Sequence, residues 1–214
     1  AYRGVFSDRV AVAPEFWYYY PAKLLGVDMI EFQRAVPFHQ ALKTTFEAFG
    51  CEGWGVAFAG VPVEGAIGKS EERWLDERTL EVRHFTQTPL GELTSSSRLH
   101  RDEPGWAVER PIKDLERDLP AWEFASLGGD PQAMSVDGLI SAWEEVGESY
   151  LLEAWLGVPF FDFYAGARQG GFEAGIYDLL NPELRPRLEA LREKHQQRMV
   201  DMARILCERT SLEA

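Results

Sequence analysis

Three short stretches of this chain are apolar almost throughout: Val10-Ala11-Val12-Ala13-Pro14-Glu15-Phe16-Trp17, Trp54 to Phe58, and Tyr150-Leu151-Leu152-Glu153-Ala154-Trp155. A strand with one wet face alternates apolar and polar residues. One without alternation is covered on both faces, which is the habit of parallel sheets. Helical signals separate the first two stretches, and a β–α–β order implies parallel strands joined by a crossover. The chain therefore reads as α/β.

The helical signals are specific. Pro21 opens a short helix that Gly26 ends. Asp28, with Glu31 three residues on, has the spacing of a capping box. Phe38, Leu42, Thr45, Phe46 and Phe49 fall on one helical face that Gly50 stops, and Pro37 predicts a kink or a division into two helices. Further on, helices are predicted over 113–127 with an interruption near Pro120, over 137–147, and over 171–180. The longest runs from Asn181 to about Arg209, with a core-facing stripe of Leu184, Leu188, Leu191, His195, Met199, Met202 and Leu206. Gly157 to Gly166 reads as a loop after the third apolar stretch.

A different rhythm holds between Thr79 and Ile112. Leu80-Glu81-Val82-Arg83-His84-Phe85 alternates, Pro89-Leu90-Gly91 turns the chain, and Trp106-Ala107-Val108-Glu109-Arg110 is strand-like. Half-exposed antiparallel strands are expected there, as a β meander inserted at about 79–112 in a single domain.

Composition narrows the function classes. A formal net charge of -13 repels phosphate backbones, which argues against nucleic acid as a partner. No apolar run approaches the length of a membrane span, and Cys51 and Cys207 are expected to be reduced thiols, so a cytoplasmic protein is expected. Gly128-Gly129 and Gly170-Gly171 match neither GxGxxG nor a P-loop. His84 and His100 have no metal-ligand spacing, and no metal site is assigned. The charged Glu71-Glu72-Arg73 reads as a solvated surface cluster, and His39 and His195 as packing or helix-surface residues.

Several strings are similar to those of the uroporphyrinogen decarboxylase family, in its less-characterised bacterial branch. They are Asp8-Arg9-Val10-Ala11-Val12 with Glu15-Phe16-Trp17, Val82-Arg83-His84-Phe85 with Thr88-Pro89-Leu90-Gly91-Glu92-Leu93-Thr94, and Trp106 to Lys113. Gly157-Val158-Pro159-Phe160-Phe161-Asp162 and Gly171-Phe172-Glu173 with Ile176-Tyr177-Asp178 extend the likeness over most of the chain. The resemblance implies a TIM-type (β/α)8 barrel. A complete one needs about 250 residues, so an incomplete N-terminal part carrying the inserted meander is expected. It also implies a decarboxylase-like enzyme, with a tetrapyrrole or related carboxylated small molecule at the barrel mouth. The alternatives are corrinoid-dependent methyl transfer, with a corrinoid protein as partner, or a non-catalytic small-molecule-binding barrel. No cofactor is expected within this chain. Zinc and a corrinoid would belong to the methyltransferase reading, through ligands in the missing half.

The arginine-bearing string that grips substrate carboxylates in the decarboxylases is replaced here by Glu15-Phe16-Trp17-Tyr18-Tyr19-Tyr20. A carboxylate clamp needs the guanidinium fork, so this departure argues against uroporphyrinogen itself as the substrate. The candidate catalytic residues are Glu15, an acid after an apolar strand, with Asp162 and Tyr164 in the loop beyond Trp155. Trp17, Tyr18, Tyr19, Trp54 and Phe161 are candidates for stacking a flat ligand, and Arg168 for holding a carboxylate.

Overall fold

The computed structural model describes residues 13–210. Asp8 to Val12, at the start of the first expected strand, lie outside the described residues. The remainder of that stretch, Ala13 to Trp17, forms no strand. Its aromatics pack sideways onto helices instead. Phe16 stacks on Phe49 at 5.3 Å between ring centroids, and Trp17 stacks on Phe38 at 5.8 Å.

Three short helices follow: α1 (Tyr19–Leu25), α2 (Met29–Ala35) and α3 (Phe38–Phe49). Gly26 and Gly50 end α1 and α3 in the left-handed conformation. Asp28 caps α2, its carboxylate accepting the Glu31 N–H at 2.9 Å. The break between α2 and α3 falls at Val36-Pro37, where proline removes a donor and disfavours helix at the preceding residue.

The strands divide into two sheets. β1 (Trp54–Phe58) pairs in parallel with β6 (Leu151–Trp155), in a register that sets Trp54 against Leu151 and Phe58 against Trp155. Between them in sequence, β2 (Ile67–Trp74), β3 (Thr79–Thr88), β4 (Gly91–His100) and β5 (Trp106–Glu109) form an antiparallel sheet in sequential order. The helices α4 (Leu115–Leu127), α5 (Asp137–Val146), α6 (Phe160–Ala167), α7 (Gly171–Leu180) and α8 (Arg185–Arg209) complete the described chain, with a 3-10 turn at Pro131–Ala133.

This architecture corrects the expected barrel. The described residues hold a two-stranded parallel sheet and a four-stranded antiparallel sheet, with no eight-stranded parallel barrel, complete or begun. Three local causes are visible. The first apolar stretch packs as coil between Ala13 and Trp17. Residues 160–167 are helical, because Phe160, Tyr164, Ala165 and Ala167 bury one helical face. The segment 67–109 is committed to antiparallel pairing. The Glu71-Glu72-Arg73 cluster lies in β2, a strand exposed along its whole length. Its charges suit an edge strand, which must discourage pairing with other chains.

Separate apolar clusters hold the layers. Leu42 and Phe46 of α3, Ala142 and Val146 of α5, Tyr150 and Leu152 form one beside the parallel pair. Met202, Ile205 and Leu206 of α8 form another with Met134 and Leu139, against which Ala57 and Ala154 pack. A third joins Leu93 of β4, Ile112, α4, α6 and α8 through Trp122, Phe160, Tyr164, Leu188 and Leu191. The antiparallel sheet is fastened at a second place by Ile30 of α2 against Leu80 and Val82.

Two predictions follow from this packing. A Cβ on Gly55 would sit 2.5 Å from Leu42 Cδ1 and 2.9 Å from a Tyr150 ring carbon, whereas one on Gly68 meets nothing within 4 Å. Gly55→Ala should lower unfolding free energy by about 1–3 kcal/mol in urea titrations, and Gly68→Ala should leave it nearly unchanged.

The second concerns Asp118, buried in the first turn of α4. Burial alone would raise its pKa. The Arg117 guanidinium and the backbone N–H groups of Asp114 and Lys113 outweigh that and hold it at about 2. The folded value lies below the unfolded one of 3.8, so the stabilisation is present above that pH and is lost as pH falls from 3.8 toward 2. It amounts to roughly 2 kcal/mol. In Asp118→Asn, the acid-induced loss of stability across this window should shrink by that amount.

Candidate functional site

The parallel pair separates the sequence-predicted site residues into two groups. Trp54 is the first residue of β1, and Glu15, Trp17, Tyr18 and Tyr19 gather near it. Phe161, Asp162, Tyr164 and Arg168 follow the far end of β6. Strands of this length span roughly 13 Å at about 3.3 Å per residue. The two groups therefore do not converge on one pocket.

At the first end, Glu15 is exposed and accepts a hydrogen bond from the Trp17 indole N–H at 3.1 Å. Trp17 meets Trp54 edge-on at 6.1 Å. Tyr18 packs on Phe32 and Phe38, and Tyr19 meets Tyr20 edge-on at the exposed start of α1. The crevice among Glu15, Trp17, Phe38, Leu42 and Trp54 measures about 10 Å³, room for about one water molecule. The crevice itself is too small for a flat ligand, while Trp17, Tyr18 and Tyr19 keep part of their rings exposed outside it.

At the second end, Pro159 starts α6 and Asp162 occupies its first turn, exposed, where its charge suits the helix dipole. Tyr164 is completely buried and donates its hydroxyl to Asp178 Oδ2 at 2.6 Å. Arg168 Nε donates to the same oxygen at 2.7 Å, and its Nη1 reaches the carbonyls of Ile112 and Lys113. Burial first, and then the adjacent Asp178 carboxylate, push the Tyr164 phenol well above its ordinary value, so it stays a neutral donor. The carboxylate that Arg168 holds is thus the protein's own. Tyr164 and Arg168 form a structural knot linking α6, α7 and the segment entering α4.

Beside that knot lies a groove of about 630 Å³, mostly apolar, between the loop leaving β6 and α8. Gly157, Pro159, Phe160 and Phe161 line one side, and Arg192, His195, Gln196 and Met199 line the other. This volume is of small-molecule size. Of the sequence-predicted residues, Phe161 lines it.

Sequence reasoning read His195 as a packing or helix-surface residue, and packing explains only part of its setting. The residue is 5% exposed, and its ring stacks on Phe163 at 4.6 Å and lies 5.9 Å from Phe160. Nδ1 is buried with no hydrogen-bond partner. Burial, and secondarily the Arg198 charge, lower its pKa, so the imidazole is neutral near pH 7. At the rim, Arg192 is exposed. Its contact is a long hydrogen bond to Gln196 at 3.4 Å, and it has no ion pair among the described residues. One signal was available in sequence: His195 interrupts a Leu/Met stripe at a position where an apolar residue would serve.

Among the described residues no group of three His, Cys, Asp or Glu side chains is placed to hold a metal ion, and Cys51 and Cys207 are free thiols. No described helix is long and apolar enough to cross a membrane.

The knot makes its own prediction. Asp178→Ala leaves a buried guanidinium and phenol without their acceptor, which should cost about 3–5 kcal/mol in chemical unfolding. Compared with protein-family models, with curated proteins and with solved structures, the chain matches none.

Proposed function

We propose that the protein is a small-molecule enzyme of the uroporphyrinogen decarboxylase-like kind, acting on a flat carboxylated substrate, a tetrapyrrole or a relative of one. The substrate lies in the groove between the loop leaving β6 and α8. One observation carries this reading: a mostly apolar groove of about 630 Å³ with an arginine at its rim that has no ion pair among the described residues and an imidazole in its wall, beyond the C-terminal end of a parallel strand. Crevices outside the carboxyl ends of parallel strands are where α/β folds bind ligands. The resemblance of Gly157 to Asp162 and of Gly171 to Asp178 to that family falls on the loop and helix beside this groove.

The chemistry follows from the residue types. Phe160, Phe161 and Met199 offer soft, flat surface to an extended ring system. Arg192 offers a fork to a carboxylate. A neutral imidazole can give or take a proton as a carboxyl group leaves or a carbon is protonated. Uroporphyrinogen itself remains disfavoured, because no arginine cluster lines the groove for its many carboxylates.

Coproporphyrin, followed by its visible absorption band, tests the site and the substrate class together. Binding in roughly the micromolar range is expected, weakened by Phe161→Ala and by Arg192→Gln and indifferent to Trp17→Ala at the other end of the parallel pair. Absence of porphyrin binding, or binding lost with Trp17 and not with the groove variants, would sink the proposal.

A further inference from the structure

Buried polar atoms are paired in folded proteins, and an unpaired one costs free energy on folding. The Nδ1 atom of His195 is such an exception. Its surroundings offer no compensation: Phe160 and Phe163 pack against the ring, and the nearest charge acting on it is the cation Arg198, itself engaged with the Gly129 carbonyl. An apolar residue would continue the stripe formed by Leu188, Leu191 and Met202 without that penalty. His195 lines the groove while its Nδ1 is shut away from it, so the groove meets another edge of the same imidazole.

The second observation is independent and lies one helical turn away. Arg192 is three residues before His195, so both side chains project from the same side of α8, and both line the groove. The cations around it are occupied: Lys194 and Arg187 pair with Glu123, and Arg198 is held by Gly129. Among the described residues Arg192 has the one contact, to Gln196. In a chain of net charge -13, an arginine with no acidic partner at the edge of an apolar groove marks where a negative charge is welcome.

We infer that the groove binds an aromatic or heteroaromatic acid, with its carboxylate paired to Arg192 and its ring set against Phe160 and Phe161 within hydrogen-bonding reach of the His195 imidazole. The inference rests on the groove being the site proposed above, and it assigns the two polar residues separate tasks. Arg192 selects for charge. His195 presents the groove-facing edge of its imidazole to a heteroatom or the inner carboxylate oxygen.

The probe is 2-naphthoate against its neutral isostere 2-naphthamide, titrated into the full chain by calorimetry. The acid should bind about tenfold or more tightly than the amide. Arg192→Gln should erase that difference while leaving amide binding unchanged. His195→Leu should melt at or above the wild-type temperature, because it removes an unsatisfied group, and should bind the acid several-fold more weakly. If His195→Leu fails to fold, the His195 ring-nitrogen resonances of the wild-type protein decide, since the acid must shift them. Equal binding of acid and amide, a difference that survives Arg192→Gln, or His195 resonances unmoved by the acid would each overturn the inference. Acid selectivity without porphyrin binding would uphold the groove chemistry and remove the tetrapyrrole. Porphyrin binding sensitive to Phe161→Ala, without acid selectivity, would do the reverse.

Discussion

The hydrogen bonds converging on Asp178 hold α6, α7 and the segment entering α4 in one arrangement. Tyr164 and Arg168 both donate to its Oδ2, and Arg168 also reaches the carbonyls of Ile112 and Lys113, where the chain leaves the antiparallel sheet. The Ile112 N–H donates to the Ala167 carbonyl and the Gln169 N–H to the Ile112 carbonyl, so backbone pairing runs beside the side-chain knot. All of this is packed against Ile112, Trp122, Phe160 and Leu188. In such low-dielectric surroundings a charged pair with its hydrogen bonds complete holds one geometry, and the loss of any member leaves the others stranded. The position of Phe160 and Phe161, and so the shape of the groove, depends on α6 being fixed in this way.

The parallel pair imposes the second constraint. Both strands run the same way, so everything that leaves their carboxyl ends gathers on one side, and everything that enters gathers on the other. The entering side is filled by aromatic packing among Phe16, Trp17, Phe38 and Trp54. The leaving side has the open groove, with Trp155 and the more exposed Phe58 at the strand ends. One side is stabilised by tight packing and the other keeps free volume, the division of labour expected when function is confined to the carboxyl ends of strands.

Much of this was legible in the sequence, and what was not has identifiable causes. The caps at Asp28, Gly26 and Gly50, the break at Pro37 and the long seam of α8 follow from local chemistry, and local rules found them. The alternation in residues 80–85 marked β3, although burial there does not alternate: Leu80, Glu81 and Val82 are buried and Arg83 and His84 exposed. β2 escaped notice because both of its faces are exposed, so it carries no alternation to detect. α6 was read as a loop because Gly157, Pro159 and Gly166 flank or interrupt it, while its burial is decided by partners on α7 and α8 distant in sequence. The barrel was expected because the resemblance implied it, and its first strand because an apolar run was equated with a parallel strand. The run ending at Phe16-Trp17 shows that aromatic coil packed on helices has the same composition. Tyr164 was singled out as a catalytic candidate and Arg168 as a carboxylate holder, but sequence could not show that Asp178, ten residues beyond Arg168 on α7, already takes a hydrogen bond from both.

His195 and Arg168 then present the same problem with opposite solutions. Each is a polar side chain set against aromatic and aliphatic neighbours, His195 buried and Arg168 partly so. Arg168 brings its acceptors with it, and its burial adds rigidity. His195 does not, and its burial subtracts stability that a leucine would have retained. Stability is a small difference between large terms, so such a deficit persists only where something outside the folding balance opposes its removal. On α8 the unsatisfied imidazole and the unpaired Arg192 face one groove from adjacent turns, and their common surroundings are otherwise phenyl rings and a thioether. The physical reading of that pairing is a groove suited to a ligand that brings a negative charge to Arg192 and a flat face to the rings.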